Sequence, residues 1–391
     1  MSERLQAQLA KRGLDGYVAT TFQGVYYTSG IRSATLKIFP RDAQVYAVVR
    51  ADDVTRPVIV AGRGDMDTVA ASGERFRGIG YGKFFRSIDS NAKLTDVERR
   101  LVSWGIDKEP AASAGDALAE ALTMLELGAT SVGFEELNPA VQETVRQALP
   151  PVELVAAPEV LKEARLLKSP LEQQLLGRAA TITEEAIGAA VALAREGVTE
   201  KEMLVAFQRH LVEQGADPLL AFIRFGRNGG VSQVAASDTP LRKGDLIWFD
   251  VCAEFEGYKS DIARTFALGD PGPRARDYYM ALRQAEDVMI ESARPGRRAS
   301  EIFDACVQAA RDAGIPNYRR HHVGHAIGID VYETPLLAPG QETVLQEEMV
   351  LNVEAPYYEV GFGALHVEDP IVVGANGGKL LTKGSRDLGI L

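Results

Sequence analysis

The chain has 391 residues, of which 46% are hydrophobic and 25% charged, an ordinary globular balance at a length that suits two domains. Its formal net charge of −11 leaves no basic face, and no Lys/Arg run could track a phosphate backbone, so nucleic acid is excluded as an expected partner. The N-terminal MSERLQAQLAKRG carries charges at helical spacing without an apolar signal region, and no later stretch approaches the ~18 uncharged apolar residues of a spanning helix. With Cys252 and Cys306 fitting no disulfide framework, the expectation is a cytoplasmic protein with no membrane partner.

Residues 1–158 alternate short apolar strands, 16–19, 45–49, 58–61 and 130–134, with helical stretches at 94–101 and 117–127. This pattern predicts an N-terminal mixed-sheet α/β domain. Pro150-Pro151 opens a change of texture that runs into the charged 162–169 stretch, and the second domain is expected over 159–391. Ser169-Pro170-Leu171-Glu172 combines an N-cap serine, a first-turn proline and a capping-box glutamate, predicting a helix closed by Gly197. Thr199-Glu200-Lys201-Glu202 repeats the device for a helix stopping at Gly215, and a hairpin follows over 245–265. About a hundred residues later the order recurs: helices over 274–293 and 300–314, then a strand pair through Glu354 and Glu368. Asp250 maps onto Glu354 and Asp261 falls close to Glu368. The predicted fold class is therefore α/β (α+β), with two helix-helix-hairpin halves related by a pseudo-two-fold axis and a site between them.

Around the two-residue Glu256-Gly257 turn, opposed residues have numbers of odd sum, so Asp250 and Asp261 fall on one face as cross-strand or diagonal neighbours. Glu354 ends one apolar strand, and Glu368 follows Leu365-His366-Val367 after the Gly361/Gly363 turn. A single acid before a turn is ordinarily a solvated surface group, and a single histidine ordinarily a structural one; the joint pattern carries the inference. Four carboxylates crowded into a partly desolvated pocket would repel one another and lose hydration worth several kcal/mol per ion, so a counter-charge is required. Two divalent cations supply it. Oxygen-rich ligation with one imidazole suits Mn²⁺, Fe²⁺, Co²⁺ or Zn²⁺ and is too poor in sulfur for a structural zinc. The chain has only five histidines, and three of them lie in His321-His322-Val323-Gly324-His325.

Gly244-Asp245-Leu246-Ile247-Trp248-Phe249-Asp250 with Ser260-Asp261, Gly324-His325-Ala326-Ile327-Gly328, the Glu354 strand and His366-Val367-Glu368-Asp369 resemble, in order, the metal motifs of the pita-bread metallopeptidases. That family includes methionine aminopeptidase, prolidase, Xaa-Pro aminopeptidase and creatinase. Arg165-Leu166-Leu167-Lys168-Ser169 looks like the prolidase-type domain junction. Leu14-Asp15-Gly16-Tyr17 with Tyr26-Tyr27-Thr28-Ser29-Gly30 resembles the creatinase-type N-terminal domain. The resemblance implies that Asp250 chelates one metal, that His325 and Glu354 chelate the other, and that Asp261 and Glu368 bridge the two, with Mn²⁺ as the first choice of ion. It further implies that a bridging water attacks an amide or related C–N bond, that Glu354 takes up its proton, and that the protein is a homodimer.

The chain departs from the family at the surrounding positions. Ser232-Gln233 stands in place of a substrate-facing Pro-His pair, Tyr332 in place of a second histidine, and His366 in place of an arginine, while His321 keeps the usual type. Gln233, Tyr332, His321 and Glu354 are thus the candidate catalytic residues, and His366, Tyr358 and Arg32 the candidate substrate contacts, Arg32 reaching in from a partner subunit. Cys252, where glycine is usual, is expected to pack as a small hydrophobe, with an auxiliary-ligand role as the sharper reading; His322 is expected to be structural. Tyr357 and Phe362 are candidate pocket walls, and Gly226-Arg227-Asn228-Gly229-Gly230 lacks the context of a phosphate cradle. Three functions compete: an Xaa-Pro dipeptidase or aminopeptidase; a hydrolase or lyase of a small metabolite, resembling ectoine hydrolase, amidinohydrolase or dimethylsulfoniopropionate-lyase relatives; and a metal-free binding protein on the same fold.

Overall fold

A computed structural model describes residues 2–391, so Met1 of the N-terminal stretch lies outside the described residues. The chain divides into two compact units, one ending at Arg165 and the other spanning Leu166–Leu391.

The first unit is built on a six-stranded mixed sheet. Its strands are β1 (Gly16–Ala19), β2 (Tyr46–Arg50), β3 (Val58–Gly62), β4 (Arg77–Tyr81), β5 (Ser131–Phe134) and β6 (Glu153–Ala156), in the order β4-β3-β2-β1-β5-β6. The two central pairs β1–β2 and β2–β3 run antiparallel and the outer pairs parallel, the mixed sheet expected from the short apolar runs. Val18, Val48, Val60 and Val132 pack with Leu118 and Leu122 of the helix Ala114–Met124 into one core.

The second unit follows from its capping signals. The helix Pro170–Val191 starts with the Ser169/Glu172 capping box, and the helix Glu200–Glu213 with the Thr199/Glu202 box. The first of these stops at Val191, short of Gly197. A turn of 192–198 separates them, and Gly197, at φ +88°, serves that turn rather than the helix terminus. The second pair is Pro273–Ser292 and Ala299–Asp312.

Strands β7 (Asp217–Phe225), β8 (Leu246–Phe255), β9 (Tyr258–Ala267), β10 (Gly324–Ala326), β11 (Glu333–Leu336), β12 (Val350–Glu354), β13 (Tyr357–Glu359), β14 (Gly363–Leu365), β15 (Glu368–Gly374), β16 (Gly377–Leu380) and β17 (Gly389–Ile390) complete the unit. The main sheet runs β11-β10-β12-β15-β9-β8-β7, with β16 on β15 and β17 on β9, while β13 and β14 form a separate hairpin. Alternation along the strands sorts side chains onto two faces. Ile247, Phe249, Val251 and Ile262 go under the first helix pair, with Phe207 and Leu211. Leu351, Val353, Val367 and Ile371 go under the second, with Leu282 and Ile302. The even-numbered residues of β8, β12 and β15 therefore face the other way.

A bidentate pair locks the two halves of the sheet. Arg264 on β9 donates to Asp369 through Nη2 (2.6 Å to Oδ1) and Nη1 (3.1 Å to Oδ2), and Nη1 also reaches the Glu368 carbonyl at 2.8 Å. Both side chains are buried. Among the described residues, no helix is long and apolar enough to cross a membrane.

Candidate metal centre

Register brings the acids together. Cys252 pairs with Asp261 across the β8–β9 hairpin, which leaves Asp250 diagonal to Asp261 on the same face. Glu354 pairs directly with Glu368 across β12–β15, Glu368 with Ala263 across β15–β9, and His325 with Asn352 across β10–β12. Five neighbouring strands, β10, β12, β15, β9 and β8, thus each place one polar side chain, His325, Glu354, Glu368, Asp261 and Asp250, on the face opposite the helices. The hairpin geometry read from the Glu256-Gly257 turn accounts for the shared face of Asp250 and Asp261. The pairing of the two hairpins with each other does not follow from it.

The separations are those of a ligand cluster. His325 Nε2 stands 3.7 Å from Asp261 Oδ2 and 4.0 Å from Glu368 Oε1. Ligand atoms of Asp261, His325 and Glu368 lie within 4.8 Å of one another, as do those of Glu354, His366 and Glu368. Burial, reinforced by the neighbouring carboxylates, pushes the pKa values of Asp261 and Glu368 well above the ordinary range. Burial likewise raises Asp250 to about 6, with the Glu354 charge adding to it and His366 and Arg320 opposing. Glu354 goes the other way: burial opposes its charge, yet the imidazoles of His322 and His366 beside it hold the carboxyl far below its usual value.

The two imidazoles facing these acids present opposite chemistry. His325 Nδ1 lies 3.0 Å from the Ala326 carbonyl, which makes it the donor and leaves the Nε2 lone pair toward the carboxylates. Burial lowers its pKa to about 4, so the ring is neutral and ready to ligate. His366 Nδ1 accepts from Trp248 Nε1 at 3.5 Å, so its proton sits on Nε2, 3.3 Å from Glu354 Oε2 and 3.6 Å from Glu368 Oε2. Its ring is 1% exposed and stands between two acids, outside the cavity lining. The Nε2 atoms of both rings are buried without a hydrogen-bond partner.

Two residues unanticipated by the sequence reading hold this cluster. Asn352 Nδ2 donates to Glu368 Oε1 and to the Asp261 carbonyl, each at 2.8 Å. His322, expected to be structural, stands with Nδ1 2.8 Å from Glu354 Oε1. Neither role is written in residue type; the three-histidine cluster was the available signal for His322. Cys252 is buried and its Sγ donates to Asp261 Oδ1 at 3.0 Å, so it touches an acid of the cluster rather than packing only as a hydrophobe. Gly324 cannot be replaced, because a Cβ there would stand 2.1 Å from the Asn352 carbonyl oxygen.

Above the acids lies a cavity of about 440 Å³, lined by Val231–Val234, Asp250, Arg320–His322, Tyr332, Glu354 and Tyr358. Gln233, His321, Tyr332 and Tyr358 all reach it. Tyr332 stacks on His325 at 3.8 Å between ring centroids. Tyr358 stands edge-on to Trp248, which stacks against Phe222 and His366. Tyr357 and Phe362 pack on each other away from this lining. Arg32 is exposed in the first unit, between the helices Phe22–Ser29 and Ala34–Ile38.

The loop carrying Gln233 is held from below by Glu200. Its carboxylate accepts from Arg224 Nη1 (2.8 Å), Phe225 N (3.0 Å), Asn228 Nδ2 (2.9 Å) and Ser237 N and Oγ (2.8 and 2.7 Å). The Gly226–Val231 turn packs on the β13–β14 hairpin so closely that a Cβ on Gly230 would meet the Glu359 carbonyl at 2.4 Å. Glu200→Gln keeps the shape but replaces a charged acceptor, and is expected to cost about 1.5–3 kcal/mol. A guanidinium-chloride midpoint within error of the unaltered protein would contradict this.

A curved antiparallel sheet with helices on one face and four carboxylates plus an imidazole on the other defines a metal-dependent, peptidase-like hydrolase. The residues fit divalent cations: mutually repelling buried acids surround a histidine nitrogen that has a free lone pair and no protein partner. The chain belongs to metallopeptidase family M24, whose model matches residues 174–375, and the creatinase/prolidase N-terminal domain model matches residues 1–167.

Among curated relatives, the chain is 31% identical over 232 residues to an Xaa-Pro dipeptidase of Pyrococcus furiosus, covering 59% of this chain and 67% of that protein. It is also 31% identical over 264 residues to an Xaa-Pro dipeptidase of Pyrococcus horikoshii, covering 67% and 75%. Among solved structures, an Xaa-Pro dipeptidase from Bacillus anthracis superposes with a TM-score of 0.80 at 22% identity, over 100% of this chain and 99% of that one. An X-Pro aminopeptidase from Thermotoga maritima superposes with a TM-score of 0.77 at 19% identity, again over 100% and 99%. These two likenesses show the fold, including the pita-bread architecture expected from the sequence.

Proposed function

We propose that the protein hydrolyses the amide bond before proline in short peptides, with Asp250, Asp261, His325, Glu354 and Glu368 holding two divalent cations. The observation that carries this reading is the convergence of four buried or half-buried carboxylates and the unpartnered His325 Nε2 beneath a 440 Å³ cavity, a size ordinary for a small-molecule site. The names of the relatives supply the substrate class. When bound, the cations supply Lewis-acid polarisation of the scissile carbonyl and acidify water at neutral pH.

The side chains do the rest. Glu354, kept ionised by His322 and His366, is the proton acceptor at the cavity floor. Asn352 and Cys252 fix the oxygens of Glu368 and Asp261. His321, whose pKa is held below the ordinary value by burial and by its neighbours His322 and Arg320, offers a neutral imidazole on the rim. Gln233 and the Tyr332 hydroxyl provide hydrogen-bond donors where substrate enters. Mn²⁺ as the native ion rests on the oxygen-rich donor set, and cytoplasmic residence on two buried free cysteines. A homodimer rests on the family resemblance.

The test is turnover of Xaa-Pro dipeptides by protein loaded in turn with Mn²⁺, Co²⁺, Zn²⁺ and Fe²⁺, with metal content measured in parallel. Two ions per chain and cleavage before proline are expected. Absence of turnover with every ion, or turnover confined to a non-peptide amide, would overturn the peptidase reading.

A further inference from the structure

We infer that Trp248 is a positioning residue of the metal centre, acting through His366. Its indole N–H holds the proton of that ring on Nε2, which keeps a second imidazole out of the ligand set and leaves the centre oxygen-rich. The inference rests on the two-cation reading and deepens it by assigning what sets the choice of ion.

The acids offer two places with a histidine among carboxylates. Asp261, His325 and Glu368 bring their ligand atoms within 4.8 Å of one another, and so do Glu354, His366 and Glu368. Both rings are buried. Where the resemblance leads one to expect an arginine, a cation that binds no metal, His366 brings a nitrogen 3.3 Å from Glu354 Oε2 and 3.6 Å from Glu368 Oε2. Residue type and distance alone would therefore add a sixth ligand to the five, with two imidazoles in place of one.

What separates the two rings is the partner of Nδ1. In His325 that atom lies 3.0 Å from the Ala326 carbonyl, an acceptor, so Nδ1 carries the proton and the Nε2 lone pair is free for a cation. In His366 it accepts from Trp248 Nε1 at 3.5 Å. An indole nitrogen can only donate. The Nδ1 of His366 therefore keeps its lone pair for the indole, and the proton of the neutral ring goes to Nε2, where no lone pair is left for a metal. His366 faces Glu354 and Glu368 as an N–H group, and His325 faces Asp261 and Glu368 as a base.

The sheet builds this contact. Trp248 is 1% exposed and pairs with Thr265 across β8–β9. The Thr265 hydroxyl in turn donates to the His366 carbonyl at 3.1 Å and accepts from the His366 amide at 3.0 Å. Indole and imidazole are thus brought together from their main chains, with planes 19° apart. Phe222 stacks on the indole at 6.3 Å between centroids and Tyr358 meets it edge-on at 5.6 Å, which restrains its orientation. Four carboxylates with one imidazole suit Mn²⁺, whereas the same acids with two imidazoles suit Zn²⁺ or Co²⁺ better. A side chain that touches no ligand of the centre except through another ring therefore sets the balance between these ions.

The experiment starts from the metal-free protein with ¹⁵N-labelled histidine, the His366 signals being identified by their loss in H366Q. The nitrogen shifts are expected to show His366 protonated on Nε2 and His325 on Nδ1. A proton on Nδ1 of His366 in the unaltered protein would overturn the inference, and this measurement needs no bound ion and no altered tryptophan. W248F, which keeps a ring and loses the donor, should free Nδ1 of His366 to take the proton. Competition titrations on that variant should then show the ratio of Zn²⁺ to Mn²⁺ affinity raised by roughly 10–100-fold, the usual scale for a group that orients a ligand. The visible spectrum of the Co²⁺-loaded variant should change as a nitrogen donor is added, and W248F/H366Q should return both spectrum and ratio toward those of the unaltered protein. An unchanged ratio, or a parallel loss of affinity for every ion, would reduce Trp248 to packing and end the proposal. Two bound ions and the W248F shift in ion preference, without turnover of any Xaa-Pro dipeptide, would support the inference and sink the peptidase reading alone.

Discussion

Asp261→Asn is expected to lower turnover by more than about 1,000-fold, over 4 kcal/mol of transition-state stabilisation, and to reduce metal content at the same time. Asp261 sits at the centre of the cluster, 3.7 Å from His325 Nε2 and opposite Cys252, so losing its charge removes a donor that both cation positions share in the proposed ligation. Stability should respond with opposite signs in the two metal states. Without metal, burial and the Asp250 charge disfavour ionised Asp261, so the neutral amide relieves repulsion and the variant is expected to melt no lower than the unaltered protein. With free Mn²⁺ about 100 times its Kd, the unaltered protein should gain about 2.7 kcal/mol, or roughly 5–10 °C in Tm for a unit of this size, and the variant much less. Differential scanning fluorimetry with and without chelator reads both. Equal metal-induced shifts in the two proteins would remove Asp261 from the ligand set.

Arg264→Leu should be the most destabilising single change in the second unit, by about 3–5 kcal/mol, because it leaves Asp369 buried and uncompensated. Asp369 is fully buried and takes its only counter-charge within 3.5 Å from this guanidinium, at 2.6 and 3.1 Å, beside a neutral donor in Thr382 Oγ1, and the same group supports the Glu368 carbonyl. The β9–β15 junction it secures is the seam where the two hairpin halves meet. Loss of metal affinity should therefore accompany loss of stability, although Arg264 touches the cluster only at the Glu368 main-chain carbonyl and at none of its ligand atoms. Chemical denaturation and metal titration on the same sample check this, and a variant with a native midpoint would refute it. Arg264→Leu with Asp369→Leu should recover part of the stability, since the cost lies in the unpaired charge rather than in the missing pair.

How much of this was legible beforehand depends on the range over which each interaction acts. Capping boxes at Ser169/Glu172 and Thr199/Glu202 involve residues three apart, and the helices began where those residues indicated. The end of the first helix was misplaced at Gly197, because a positive-φ glycine marks a turn wherever it falls and does not say how many residues the turn contains. Asp250 and Asp261 could be put on one face because the Glu256-Gly257 turn sets the parity of the whole hairpin, and parity needs no knowledge of the rest of the chain.

The sequence by itself determined the donor chemistry, the hairpin register around Asp250 and Asp261 and the family, since these depend on residue type and short spacing. Tertiary structure alone decided that β15 pairs with β9, which converts two acid pairs into one cluster. It also decided which ring nitrogen of His325 and of His366 faces the acids, because a tautomer is set by whichever partner the other nitrogen meets, the Ala326 carbonyl in one ring and the Trp248 indole in the other. Arg320 drew no notice as one arginine among many, for a guanidinium becomes informative only when packing has placed it at a cavity and left its Nε without an acceptor.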